Sequence, residues 1–343
     1  MTCGQSSLLL LCAGALLVPA GAQTGWSVVK TFRVGGQGGW DYVTVAPDTH
    51  RLYVTRSTHT MVIDSESGSV VGDIPGQKRS HGVALVPDVG RGFISDGGGS
   101  GAVVVFDLKT NAVLGTIAAQ PDADGIIYDP GSRRVLVVSG DGGVLMTLQP
   151  DVDPAGGHIE APIELGGKPE FLASDEAGKV YINLVDRNEV VAVDMHARKV
   201  VARWPVAPGG APTGLAIDRQ KHRLFVGCRN PQKLIVMSTG DGKVVASLPI
   251  GAGVDATKIA DGEAFASCRD GTLTVAKESS GGSYAVAETV QTRPGARTMG
   301  VDPSTHRIYL PTAEFEPTPA GSNQRPAMKA GTFMILVVAR QGG

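Results

Sequence analysis

The sequence is short of net charge, cysteine and aromatic residues, and each shortage argues against a class of protein. Its formal net charge is −2 over 343 residues, whereas a protein that holds nucleic acid or anionic membrane by a general basic field is strongly positive. Aromatic residues make up 5% of the chain, which leaves few platforms for stacking bases. Four cysteines are too few for a disulfide scaffold. Single-stranded nucleic-acid binding therefore ranks below other functions, although it stays open.

Local catalytic signatures are missing as well. The chain has no HExxH zinc motif, no GxSxG nucleophile elbow and no P-loop. It also shows no convincing amphipathic helix. Any enzymatic activity would have to come from residues that the fold brings together.

The start of the chain has the features of an export signal. Residues 1–22 carry no charged side chain, and an apolar core at 8–18 is followed by small residues. This pattern predicts a signal peptide cleaved before Gln23, and the apolar run is too short for an ordinary membrane span. We expect a secreted protein, periplasmic or at the cell surface, with no membrane span after cleavage. Cys228 and Cys268 are then the remaining cysteines.

Glycine and proline are abundant, at 47 and 21 residues, so turns must be frequent and strands short. One phrase recurs along the chain, a basic residue followed by a strand of aromatic and β-branched residues. Its copies begin at Arg51, Arg91, Arg134, Lys179, Arg223 and Arg307, with a weaker copy at Glu263.

The spacing of these copies, 40 to 45 residues, matches the period of four-stranded propeller blades. In each copy a short apolar strand precedes the basic-aromatic strand, and a third and a fourth strand follow after turns. The sequence therefore predicts an all-β protein, a seven-bladed β-propeller formed as a single domain over residues 23–343.

The last copy is one strand short, because only Thr332 to Ala339 follows it as a strand. The segment Trp26 to Val34 forms an extra strand ahead of the first copy. We expect it to complete the last blade, which would remove an exposed sheet edge. The Pro-rich segment Glu314 to Gly331 is predicted to be a mobile surface loop.

The alignment of the repeats also predicts which side chains surround one mouth of the central channel. In a propeller the innermost strand of each blade begins on the face where the second strand ends. The positions entering the inner strands are Asp41, His81, Asp124, Glu170, Thr213, Asp255 and Arg297. Those leaving the second strands are Arg56, Asp96, Ser139, Leu184, Cys228, Cys268 and Thr312.

Two kinds of ligand suit such a mouth. Four carboxylates and His81 form a set that would hold a divalent cation or a polar ligand. A cationic side, suited to a carboxylate or phosphate, is formed by Arg56, Arg229, Arg269 and Arg297. Trp40 stands beside Asp41, where it would either stack on a ligand or cap the channel wall. An inert acidic rim is the competing interpretation, because a fold alone does not specify a function.

Cys228 and Cys268 occupy equivalent places in adjacent repeats. They are compatible with a disulfide, with a soft-metal site, or with two buried free thiols, and the last of these is favoured because cysteine packs as a small hydrophobe.

The chain resembles the YVTN-repeat propellers, a YncE-like family of secreted bacterial proteins. The resemblance rests on Tyr53 to Arg56, Tyr181 to Asn183 and phrases such as Gly39 to Tyr42 and Gly167 to Phe171. It implies a periplasmic or cell-surface protein, with single-stranded DNA binding and lactonase-like activity both attached to relatives. Arg56 departs from the asparagine that gives the family its name.

Three hypotheses follow for the function. The first is a non-enzymatic propeller of the cell envelope that binds a small molecule or an envelope protein at the channel mouth. The second is a hydrolase, lactonase-like, that uses a divalent metal as cofactor held by the same acids. The third is single-stranded DNA binding.

Overall fold

A computed structural model describes residues 1, 25–279, 281–317 and 326–341. Over these ranges the chain is all-β, with 27 strands and two three-residue 3-10 helices at Pro47–Thr49 and Pro87–Val89. No helix among the described residues has the length and apolar character needed to cross a membrane. The predicted signal segment, residues 1–22, and its cleavage site lie outside the described residues, Met1 apart.

The strands form antiparallel sheets of four strands or more. Four sheets run through consecutive strands. The first of these contains β9 (Ala123–Asp129), β10 (Arg134–Ser139), β11 (Val144–Leu148) and β12 (Ile163–Glu164). The second contains β13 (Pro169–Ser174), β14 (Lys179–Leu184), β15 (Glu189–Asp194) and β16 (Lys199–Pro205). The third contains β17 (Pro212–Asp218), β18 (Arg223–Arg229), β19 (Gln232–Ser238) and β20 (Val244–Pro249). The fourth contains β21 (Val254–Ala260), β22 (Glu263–Cys268), β23 (Thr272–Glu278) and β24 (Tyr284–Gln291).

A fifth sheet has seven strands. It contains two groups of four consecutive strands, which share one long strand. Its members are β2 (Val43–Ala46), β3 (Arg51–Thr55), β4 (Ser57–Asp64), β5 (Val70–Val86), β6 (Arg91–Asp96), β7 (Ala102–Asp107) and β8 (Val113–Ala118). The first part of β5 pairs with β4, as at Ile74 opposite Thr60. Its last part pairs with β6, as at Val83 opposite Ile94.

The sixth sheet joins the two ends of the described chain. It contains β1 (Trp26–Arg33), β25 (Gly300–Asp302), β26 (Arg307–Thr312) and β27 (Met334–Arg340), in the order β1-β27-β26-β25. Glu263, at the weak copy of the repeat, accepts a hydrogen bond of 2.9 Å from Nε1 of Trp26. It also accepts two bonds of 2.6 Å from the Arg340 guanidinium. The acid that breaks the repeat therefore binds both terminal strands.

Each copy of the repeat starts a strand at its first residue, from β3 at Arg51 to β26 at Arg307. The residue before such a strand takes a left-handed conformation, as at His50 (φ 51°) and Gly90 (φ 66°), which closes the turn from the preceding strand. The aromatic side chains of these strands are buried and include Tyr53, Phe93 and Tyr181. The period of the sequence and the period of the strands coincide because each copy buries the same position, which is aromatic except at Leu136.

The first strand of each group faces the centre of the molecule. These strands, β2, β5, β9, β13, β17, β21 and β25, contact one another in that order, and β25 contacts β2. Their starting residues therefore meet around one opening, which is the position of the candidate site.

The described ends of the Pro-rich segment, for which a mobile loop is predicted, are joined by hydrogen bonds. Glu316 N donates to Ala327 O and Lys329 N donates to Glu314 O, both at 2.8 Å. The Phe315 ring lies 6.1 Å from that of Trp40. Residues 318–325 lie outside the described ranges.

Candidate functional site at the channel mouth

Charged side chains line a cavity of about 250 Å³ at the opening where the inner strands begin. Eight of the residues predicted for the mouth line it, namely Asp41, His81, Asp124, Glu170, Arg229, Asp255, Arg269 and Arg297. Their convergence follows from the fold, because each lies near the start of an inner strand, or near the point where β5 changes partner, or at the end of a second strand. Thr213 is fully buried instead, with its hydroxyl bonded to Val254 O at 3.0 Å.

Most of these side chains form one chain of opposite charges. His81 Nδ1 lies 2.7 Å from Asp41 Oδ2 and 3.5 Å from Asp124 Oδ1. On its other side, Asp41 Oδ1 lies 3.5 Å from Arg297. From Arg297 the contacts continue to charged residues in other copies of the repeat.

Asp255 links the two arginines of this chain. Arg297 Nε donates to Asp255 Oδ2 at 2.5 Å, and Arg229 donates to the other carboxylate oxygen. Arg229 also lies 3.7 Å from Glu170 Oε1. Arg229 therefore places a charged group in the mouth at the copy of the repeat whose inner strand has the uncharged Thr213 at the equivalent position.

Two carboxylates, Asp124 and Glu170, end this chain of charges. They lie at the starts of the neighbouring inner strands β9 and β13, and they contact different cations, His81 for Asp124 and Arg229 for Glu170. Burial raises the pKa of Asp124 well above its usual value, and the charges of Asp41, Glu170 and Asp122 raise it further, against the lowering effect of His81. Burial likewise raises the pKa of Glu170, although Arg229 lowers it. Both acids are therefore held toward their neutral forms.

The pKa of His81 is shifted in favour of its charged form, unlike the pKa values of Asp124 and Glu170. Burial lowers its pKa, but the hydrogen bond to Asp41 and the negative charges of Asp124 and Asp41 outweigh that effect and raise the pKa to about 9. The imidazole is thus a cation at neutral pH, and it supplies one of the positive charges of the mouth. Its Nε2 is buried without a hydrogen-bond partner among the described groups.

Tyr42 forms part of the floor of the mouth. Its ring packs against Phe171 with centroids 4.8 Å apart, and burial raises the pKa of its hydroxyl well above the usual value. The tyrosine therefore stays neutral beneath the charged groups.

Sequence reasoning missed a second layer of charges on one side of the mouth. Arg79 lies 3.0 Å from Asp122, and Lys168 lies 3.5 Å from the same carboxylate. These three residues stand two positions before His81, Asp124 and Glu170, so the alternation of side chains along an extended chain could have found them. The other four copies have glycine or alanine at this position, at Gly39, Ala211, Gly253 and Gly295.

The positions leaving the second strands do not reach the mouth, which corrects the sequence-based expectation. All seven are buried, including Arg56, Cys228 and Cys268. Alternation along the strand is the reason, because the residue at this position points into the wall and the next one, as at Arg229 and Arg269, points to the opening.

Arg56 illustrates this correction. Its guanidinium donates to the carbonyl oxygens of Gly35, Gln37, Gly38 and Gly39 over 2.8–3.3 Å. It also stacks on Phe333, with its carbon 3.7 Å from the ring centroid. Burial lowers the pKa of Arg56 to about 10. The side chain holds the loop ahead of Asp41 instead of facing a ligand.

Trp40 is also part of the wall. Its ring packs on Phe315 and Phe333, and 8% of the residue is exposed. Arg297 donates to its carbonyl oxygen at 3.0 Å and lies 5.9 Å from its ring. Of the two predictions for Trp40, capping the wall agrees with this position.

Cys228 and Cys268 are buried free thiols. Burial raises the pKa of each to about 12. They pack in different apolar clusters, Cys228 beside Ile235 and Cys268 beside Val254. Neither the disulfide nor the shared soft-metal site agrees with these positions.

One group of potential metal ligands is present among the described residues. Single donor atoms of Asp41, His81 and Asp124 all lie within 4.8 Å of one another. Glu170 and Asp255 are not part of this group. A metal would have to displace one proton of the His81 imidazolium, because a histidine ligand must be neutral.

Comparison with known proteins supports the architecture alone. No family model and no curated protein matches the sequence. A solved structure of Kuenenia stuttgartiensis hydrazine synthase is similar with a TM-score of 0.69 and 14% identity, covering 81% of this chain and 93% of that chain. Together with the antiparallel sheets of four or more strands, this likeness shows a fold of the β-propeller type.

Proposed function

We propose that this chain is a non-enzymatic binding propeller whose channel mouth takes the cationic group of a ligand between Asp124 and Glu170. The single observation that carries the proposal is the break in an otherwise alternating chain of charges. A propeller-type fold suits such a role, since it is typical of interaction scaffolds.

The chemistry of the break selects an ammonium or guanidinium group. Two adjacent carboxylates with raised pKa values are costly to ionise together, and a cation placed between them relieves that cost. Their side chains are 14% and 19% exposed, so a ligand can reach them. A guanidinium would bond both acids at once through its fixed fork of donors. The ligand is then a small amine or guanidine, or a basic side chain of an envelope protein.

Calorimetric titration with n-butylguanidine tests this proposal. We expect saturable binding to the unmodified protein and at least roughly tenfold weaker binding to the double variant Asp124→Asn/Glu170→Gln, because the charge-assisted hydrogen bonds are lost. The neutral isostere n-butylurea should not bind. Equal affinity of the double variant, or no binding by the unmodified protein, would overturn the proposal.

A matched control separates the site from general charge. The variant Asp88→Asn/Glu164→Gln removes the same two negative charges from exposed positions. It should bind n-butylguanidine within about twofold of the unmodified protein, since exposed charges are screened. A loss equal to that of the mouth variant would assign the effect to net charge.

We also propose the finer architecture. The ring of inner strands and the division of β5 between two groups support seven blades, with the pairing of β1 and β27 completing the last one. The repeat supports membership of the YVTN-like propellers, a single domain over residues 23–343, and export after cleavage before Gln23. Mass spectrometry of the protein recovered from the envelope or medium tests the cleavage, and an intact N-terminus would contradict it.

A metal-dependent hydrolase is the second candidate, and the three donors of Asp41, His81 and Asp124 are the observation that favours it. A bound cation would supply a Lewis acid there. The pairing of both carboxylates with the imidazolium makes binding of a metal compete with an existing network. Elemental analysis and a lactone-turnover assay, with and without added Mn²⁺, distinguish the two candidates.

A further inference from the structure

A second, larger cavity lies farther along the same inner strands. Its volume is about 490 Å³, within the range of cavities that hold small organic ligands. The mouth is lined by residues near the starts of the inner strands. This cavity is lined by residues within those strands and just past their ends, such as Val45, Leu85 and Val301. Tyr42 borders both cavities, so it lies between the two sites.

The walls of this second cavity are mainly aliphatic. Besides the residues named above, Val83, Ile126, Ile259 and Met299 line it. Such walls favour an apolar ligand body, because its burial removes hydrocarbon surface from water.

Lys258 is the one charged residue among those that line the cavity. Its Nζ makes no hydrogen bond or ion pair with any residue that the structure describes, and it lies 5.1 Å from the centroid of Phe171. Burial lowers the pKa of Lys258 to about 8. An amine retained in an apolar channel without an acidic partner is costly, and a ligand that supplies the missing negative charge would offset that cost.

We propose that this cavity binds an apolar monocarboxylate, with its carboxylate on Lys258 and its hydrocarbon body against the aliphatic walls. The single ammonium group of Lys258 balances the single negative charge of a monocarboxylate. A dicarboxylate or a phosphate dianion would leave a second charge buried without a partner. The site is separate from the proposed cation site in position and in chemistry.

The test is a titration with octanoate and its neutral counterpart 1-octanol. We expect octanoate to bind the unmodified protein and 1-octanol to bind roughly tenfold more weakly or worse, since the charge-assisted bond is lost. The variant Lys258→Met should lose affinity for octanoate by a similar factor, and Lys258→Arg should retain it. Lys277→Met, at an exposed position of β23, is the matched control and should bind as the unmodified protein does.

Any of three results would overturn this inference: no binding of octanoate, equal binding of 1-octanol, or undiminished binding by Lys258→Met. If Lys258→Met does not fold, the comparison of the two ligands on the unmodified protein decides by itself. The double variant Asp124→Asn/Glu170→Gln should still bind octanoate, so failure of the cation site and failure of this site are distinguishable.

Discussion

Nδ1 of His81 donates a hydrogen bond of 2.7 Å to Oδ2 of Asp41, and the two residues come from adjacent copies of the repeat. The contact fixes the imidazole between Asp41 and Asp124. It couples neighbouring inner strands by charge, beside the backbone hydrogen bond of 3.0 Å from Tyr42 N to His81 O.

Protonation of His81 should make stability depend on pH. The folded-state pKa of about 9 lies above the ordinary value of 6.5, so the stabilisation is complete below about pH 6.5 and lost as pH rises through about 9. Relative to His81→Asn, the unmodified protein should lose on the order of 2 kcal/mol of unfolding free energy over that window. Urea denaturation at several pH values measures it. The exposed variant His222→Asn should follow the unmodified protein, and a pH-independent difference for His81→Asn would contradict the account.

Arg56 should stabilise the protein without serving the ligand. Replacement by lysine cannot satisfy four carbonyl oxygens with one compact ammonium, so Arg56→Lys should lower the unfolding free energy by about 3 kcal/mol. Arg33→Lys, at an exposed position of β1, should stay within about 0.5 kcal/mol. Thermal and urea denaturation compare the two. Equal stability of both variants would show that the Arg56 bonds carry no net energy.

Glu263 should hold the two terminal strands in place. The variant Glu263→Gln keeps an acceptor for Trp26 but loses the charge facing Arg340, and we expect it to cost about 1–2 kcal/mol. Hydrogen exchange of the β1 and β27 amides should accelerate more than that of β14. Glu164→Gln, at an exposed position of β12, serves as the control. Uniform acceleration across all strands would contradict a local role.

The amine of Lys258 should limit stability while the second cavity holds no ligand. Lys258→Met replaces a desolvated charge with an apolar chain of similar length, so its melting temperature should equal or exceed that of the unmodified protein. Differential scanning calorimetry measures the change beside Lys277→Met. A clear drop in melting temperature for Lys258→Met alone would mean that the amine has a stabilising partner.

The sequence predicted strand starts well and side-chain direction less well, for a physical reason. A basic residue and a buried aromatic recur at each second strand, so Arg51 and Arg307 could be placed by alignment. The residues that follow alternate between wall and opening with a period of two, and a shift of one residue separates Cys228 in the core from Arg229 at the mouth. Glu263 shows a second limit, since its partners Trp26 and Arg340 are distant in sequence.

The most direct test of the central claim is a measurement of the Asp124 and Glu170 pKa values by carboxyl-carbon NMR, with and without saturating n-butylguanidine. A cation between the two acids favours their ionised forms. The account predicts that both pKa values lie above their ordinary values in the free protein and fall when the ligand binds. Carboxyl pKa values that do not change at saturation would contradict it, because the ligand would then be bound elsewhere.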